Sequence, residues 1–122
     1  MSDETEVDIV AERLRLGAGF RQDERPDIVR HFESLSRRLR NFAVDSVDLD
    51  LSVRDRDTAD QKITLELLVP GSNQFVASST EPEMRDALTD VREDMIRQID
   101  DAKEKRDPQK NRRLRETIRK IP

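Results

Sequence analysis

The sequence predicts an α+β fold: a two-layer β-α-β-β-β-α domain, with a four-stranded sheet carrying two helices on one face. Three observations predict it. Apolar and polar residues alternate over 47–53 and again over 63–69, the period of half-buried strands. Over 28–42 and 84–102 the apolar residues instead recur at spacings of three and four, the period of amphipathic helices. Between strand-like segments, Pro70-Gly71-Ser72-Asn73 supplies a turn, because Pro presets φ and Gly admits positive φ.

Taken in order, residues 7–18 read two ways. Val7, Val10, Ala11 and Leu14 suit a helix capped from Ser2, whereas Leu14 and Leu16 between Arg13, Arg15 and Gly17 suit a strand. A strand is expected in the second half, because three strands and two helices pack better with a fourth strand beside them. Gly17-Ala18-Gly19 lacks the third Gly of a dinucleotide fingerprint and reads as a turn. Ile28, Phe32, Leu35, Leu39 and Phe42 form the stripe of one helix, started at Asp23 or Arg25-Pro26, since Pro is tolerated only in the first turn. Val47, Leu49, Leu51 and Val53 then mark a strand. Arg54 to Gln61 is a polar loop, and Ile63, Leu65, Leu67 and Val69 mark the next strand. Gln74 to Ser79 is a third, short one. A second helix runs from about Glu83 to Arg106 on the stripe Met84, Leu88, Val91, Met95, Ile99 and Ala102. Asp107-Pro108 breaks it and could cap a further short basic helix in which Leu114, Ile118 and Ile121 share a face. Residues 1–106 are thus expected to be the domain, with 1–6 a disordered lead, and 107–122 a basic C-terminal tail.

Charged residues make up 41% of the chain and hydrophobic ones 34%, so the core must be thin. The net charge of −4 hides an asymmetry: residues 43–83 carry nine acids against three bases, residues 103–122 nine bases against three acids. The basic end could be a solvated tail or an RNA-facing arm, and the asymmetry favours the arm. Arg outnumbers Lys 18 to 5, which suits bidentate contacts to phosphate or carboxylate. There is no Cys, so disulfides and thiolate metal sites are excluded. No apolar run approaches the roughly 20 residues that span a bilayer. The acidic start lacks an export-signal pattern, and a cytoplasmic protein is expected.

Chemistry finds little to build on. The single His31 has neither Cys nor Tyr to work with, and reads as structural or solvent-facing. Glu93-Asp94 and Asp100-Asp101 are adjacent on a helix, so their side chains diverge. Asp55-x-Asp57 with Glu66 has calcium-loop spacing, but Ala59 stands where an oxygen ligand is needed and Asp60 where Gly is; a hairpin loop is expected. Phe20, Phe32, Phe42 and Phe75 are the only aromatics, too few for a base-stacking platform. No catalysis, cofactor, metal or small-molecule substrate is expected. What remains is Arg reading phosphates.

The stretch Leu65 to Lys105 resembles the family of short ribosome-hibernation factors and ribosome-associated inhibitors. Val69-Pro70-Gly71 matches its turn, Phe75-Val76-Ala77 its short strand, and Glu83-Met84-Arg85-Asp86-Ala87-Leu88 its helix opening. Arg97-Gln98-Ile99 falls ten residues beyond Ala87, and Lys103, Lys105 and Arg106 follow as the basic end; upstream, Ile28 to Leu39 matches the first family helix. Arg85 stands in place of the family's aromatic, Asp94 in place of a Lys, and Asp100-Asp101 in place of basic residues. A diverged relative is also conceivable, one that keeps the fold as a protein-interaction module without RNA affinity. The double-stranded-RNA-binding domain shares the order of elements, but its Gly- and Lys-rich helix start is absent. The resemblance implies the β-α-β-β-β-α fold and binding to the small ribosomal subunit, on 16S rRNA at the decoding region, which silences idle ribosomes. It implies contacts from Arg30, Arg37 and Arg38 on the first helix and from Arg92, Arg97, Lys103, Lys105 and Arg106 on the second. Arg112 and Arg113 extend the basic end. A homodimer stays open.

Overall fold

The computed structural model describes residues 8–106; for Lys105 and Arg106 it describes the backbone alone. The expectations for residues 1–6 and for the tail 107–122 lie outside the described residues. Strand alternation places the core. Leu49, Leu51 and Val53 on β2 (Asp48–Arg54) and Ile63, Leu65 and Leu67 on β3 (Lys62–Leu68) are buried, while the residues between them face the other side. β4 (Phe75–Ser79) continues the meander, antiparallel to β3, with Leu65 opposite Ala77. Gly71 sits at φ 76° in the turn between them, as its place after Pro70 requires.

The fourth strand is β1 (Leu14–Leu16), which pairs parallel with β2, Leu14 opposite Leu49 and Leu16 opposite Leu51. The sheet order is β1-β2-β3-β4. Gly17 N–H donates to the Leu51 carbonyl and Val53 N–H to the Ala18 carbonyl, so the Gly17-Ala18-Gly19 turn prolongs this pairing. Gly19 makes the turn possible, with φ +91° and the Val53 backbone packed where a Cβ would stand.

Residues 8–18 contain both of the expected conformations. α1 (Ile9–Arg13) precedes β1 directly, and its N-cap is Asp8, whose carboxylate accepts from Ala11 N–H at 3.1 Å. The expected cap, Ser2, lies outside the described residues. Ser36, buried on a later helix, donates to Asp8 and ties α1 down. The orphan carbonyls at the end of α1 go to Arg25, which donates to Ala11 and Leu14 at 2.7 and 2.5 Å.

The helix expected over 27–42 is two helices. α2 (Arg25–His31), entered through a 3-10 turn at Gln22–Glu24, ends at Phe32, and α3 (Glu33–Arg38) restarts there; Phe42 lies past both. Phe32 departs from helical geometry (φ −100°, ψ 19°), and Arg92 from across the molecule donates to the His31 carbonyl at this break. A side chain inserted into the helical ladder is a recognised cause of such a break. The buried stripe survives it, because Ile28, Phe32, Leu35 and Leu39 are all in the core. α4 (Met84–Arg106) covers β3 and β4 with Ala87, Leu88, Val91, Met95 and Ile99. Helices therefore cover one face of the sheet. The other is open, and carries Arg15, Asp48, Asp50, Ser52, Arg54, Lys62, Thr64 and Glu66. No helix among the described residues is long and apolar enough to cross a membrane.

Candidate nucleic-acid interface

The expected cations sit on α2, α3 and α4, and most have found an acid within the chain. Arg30, exposed on α2, pairs with Asp27. On α3, Arg37 pairs with Glu33 one turn back at 2.7 Å. Arg38 reaches across to Asp100 on α4 at 3.2 Å. Arg97 pairs with Asp94, three residues before it. Glu93 and Asp101, each four residues from Arg97, are also within helical reach, but the pair formed is the one with Asp94. Lys103 is exposed and shows no ion pair among the described residues. The side chains of Lys105 and Arg106, and all of Arg112 and Arg113, lie outside the described residues.

Arg92 differs from the rest. The resemblance implies it as an RNA contact on the second helix. Instead its side chain is about three-quarters buried, at 23% exposure, and one terminal nitrogen donates to the His31 carbonyl at 3.1 Å. Nε of Arg92 is buried without a partner. The position turns inward because α2 packs over it, which the helical angle alone does not reveal. Arg92 joins two helices.

Pairing decides how available the other cations are. An exposed ion pair contributes only about 0.2–1 kcal/mol, so Arg37 or Arg38 can exchange a carboxylate for a phosphate at small cost. Arg92 cannot do so without abandoning the part-buried His31 carbonyl.

The structure brings two of the expected residues together from different helices. Arg38 and Lys103 both line a cleft at the end of the sheet nearest the end of α4. Arg30 lies on a separate, wider groove of about 680 Å³ between α2 and the start of α4, with Phe20, His31, Met84 and Arg85. Arg85, missed as a contact residue because the family has an aromatic there, has no ion pair among the described residues and is exposed.

His31 is half-buried and bonds within the fold. The Thr89 hydroxyl donates to the Arg85 carbonyl at 3.0 Å, so its oxygen accepts from His31 Nε2–H at 2.9 Å. Burial first, then Arg92 and Arg85, lowers the His31 pKa. The loop 54–61 is held by Gln61, which the sequence did not single out. It is 1% exposed, donates to the Glu81 and Pro82 carbonyls, and accepts from Asp57 N–H. Asp55 and Asp57 take positive φ there, a conformation Asp tolerates. Among the described residues no group of three or more acid or His side chains could hold a metal ion. Arg56 of this loop forms a bidentate pair with Glu24 at 2.6 and 2.8 Å, over the Phe20 ring. The hydrogen bond from Arg56 holds the Glu24 carboxyl at about 2.

No protein-family model, no curated protein and no solved structure matches the chain.

Proposed function

We propose that this protein is a ribosome-associated translation silencer, binding 16S rRNA in the decoding region of the small subunit through cations on its helices. The observation that carries the reading is the meeting of Arg38 on α3 with Lys103 on α4 at one end of the sheet. From that end the chain runs on into residues 107–122, with six bases and two acids. Cations from two helices meet there, and the sequence that follows α4 is basic, which suits a phosphate backbone. The motif order from Leu65 to Lys105 supports the choice of partner. On this reading the protein is cytoplasmic, acts in idle or stressed stationary-phase cells, and works by occupancy without catalysis or cofactor.

A second reading has its own observation. Arg30, Arg37, Arg38 and Arg97 are each matched to an acid, and residues 84–102 carry six acids against three bases. That pattern fits a module that keeps the fold, and pairs with a protein instead of RNA.

Ribosome co-sedimentation from stationary-phase lysates at graded salt separates the two. The silencer travels with the small subunit at low salt and is released as salt rises, because each neutralised phosphate adds about −0.7 to −0.9 to the log–log slope. Exchanging both Arg38 and Lys103 for Glu releases it at lower salt, whereas Arg97→Glu alone does less. A parent protein that stays off ribosomes even at low salt sinks this reading in favour of the second.

A further inference from the structure

The sheet has two edges, and they differ. β1 is three residues long, and Arg25 donates to its Leu14 carbonyl at 2.5 Å. A short edge strand engaged in this way offers little to a passing chain. β4 is five residues long, Phe75-Val76-Ala77-Ser78-Ser79, without a charge, Pro or Gly to protect it. Among the described residues no strand pairs with its outer side. Successive residues of a strand turn their N–H and C=O groups to opposite sides. The Val76 carbonyl accepts from Gln98 Nε2 of α4 at 2.9 Å, so the backbone groups of Val76 and Ser78 are the ones that point away from β3.

What borders this edge decides what fits it. On the open face Val76 is 46% exposed, and so is Leu68, diagonal to it on β3; Glu66 stands directly opposite Val76. On the helix side, Asp90, Asp94, Gln98 and Asp101 recur at spacings of four, four and three, and form one stripe of α4 along the edge. Asp90 accepts from the Ser79 hydroxyl at 2.8 Å. Gln98 links Asp94 to the Val76 carbonyl, and Asp101 lines a hollow with Gln98 and Phe75. The cations near this border do not offset its acids. Arg97 is already paired with Asp94, and Lys62 lies on β3 past the residue opposite Ser79. Arg38 and Lys103 belong to the separate cleft toward α3.

We propose that the outer edge of β4 takes up an extended segment of a partner protein as a fifth strand, one in which basic and apolar residues alternate. Main-chain bonds to Val76 and Ser78 supply affinity, as in other strand additions. Alternation supplies the choice of partner. Side chains on one face of the incoming strand meet Val76, and those on the other meet the acids of α4. Gln98 gives up the Val76 carbonyl on binding and keeps Asp94 as its acceptor. A second copy of this chain would bring the same acids to the edge, and RNA would bring phosphates, so like charge opposes both.

Strand addition gives the module of the second reading a partner class. Its test contains no ribosome, so its failure leaves the choice between the two readings to co-sedimentation. The probe is the peptide Lys-Val-Lys-Val-Lys-Val-Lys, titrated into the full chain at low salt. Binding slows amide hydrogen exchange at Val76 and Ser78 at least about tenfold. The same peptide with Glu in place of Lys binds at least about tenfold more weakly, the loss of several exposed ion pairs. Two further peptides keep every charge and carry N-methyl groups, one on its valines and the other on its lysines. A strand turns only alternate N–H groups toward its neighbour, so one of the two binds about tenfold more weakly than the other. Equal affinities for the two methylated peptides overturn the proposal, because the contact is then no strand pairing. Equal affinities for the basic and acidic peptides overturn it as well. So does slow exchange of both amides in the free chain, which means that the edge is already covered; protection that fades on dilution then assigns the cover to a second copy.

Discussion

At the scale of single residues, the chain shows how charge type can be read from sequence while charge assignment cannot. Arg56 and Arg92 look alike in the sequence, yet one clamps Glu24 and the other holds the His31 carbonyl. Their partners lie 32 and 61 positions away, beyond anything that periodicity reports. Two groups, Glu24 under the Arg56 clamp and the His31 ring through its burial, make stability depend on pH. The Glu24 carboxyl, held at about 2 against an ordinary 4.5, contributes stability that is complete above 4.5 and lost as pH falls toward 2. His31, whose pKa is lowered from 6.5, resists the charge it would take up when unfolded, so its contribution is complete above 6.5 and declines below it. Denaturant titrations between pH 8 and 2 therefore show falling stability in two stages. Glu24→Gln flattens the acid stage and costs about 1–3 kcal/mol at neutral pH, a typical value for a hydrogen-bonded charge. If the slope between pH 4.5 and 2 is unaltered in that variant, the Arg56 clamp does not set it. Arg92→Leu leaves the His31 carbonyl without its donor and lowers the melting temperature; a variant that melts like the parent but leaves ribosomes would return Arg92 to the RNA-facing set.

Elements were more legible than residues, for a physical reason. Alternation over 47–53 and 63–69 and the stripe over 84–102 record which side of each element is buried, and burial is what composes the core. The break at Phe32 left no such record. Both halves of the helix bury the same stripe, and the side chain that meets the His31 carbonyl at the break comes from another helix. α1 was half-hidden too, because five residues give barely one turn of periodicity. Leu65, fully buried at the centre of β3 between Leu51 and Ala77, tests the core directly. Leu65→Ala costs about 2–5 kcal/mol, and a thermal melt equal to the parent's would refute the assigned core. Gly19 tests the seam between β1 and β2. A Cβ there would lie 2.4 Å from Val53 Cγ1 and 2.5 Å from the Val53 carbonyl oxygen, at φ +91°. Gly19→Ala should cost about 1–3 kcal/mol through that strain, read as a lower denaturant midpoint with an unchanged m-value.

For the whole molecule, the two-layer architecture and the open sheet face follow from the sequence, whereas the distribution of usable charge does not. Asp50 and Glu66 are neighbours on the open face, with Arg15 bonding Asp50 at 2.9 and 3.0 Å; on β1, β2 and β3 that face balances Arg15, Arg54 and Lys62 against Asp48, Asp50 and Glu66, so it has no cationic surplus to offer a phosphate backbone. Positive charge is concentrated instead at the end of α4 and beyond it. Deleting residues 108–122 removes six bases and one acid. If ribosome binding is electrostatic, the deletion lowers affinity and flattens its salt dependence together. A truncated protein that binds as tightly, with the same slope, would make those residues bystanders.

The parallel pairing of β1 with β2 also sets an order in time. β2, β3 and β4 are joined by short connections and can zip locally, but Leu14 must find Leu49 across a loop of more than thirty residues that contains α2 and α3. Closing that loop costs entropy before its three-residue strand returns much. β1 is thus the last strand to join during folding and the first to leave during unfolding. Substitutions at Leu14 or Leu16 should accelerate unfolding while leaving the folding rate nearly unchanged, the mark of contacts made after the rate-limiting step. The Arg15–Asp50 bond, the most regular ion pair on the open face, would then close only once the rest of the sheet has formed.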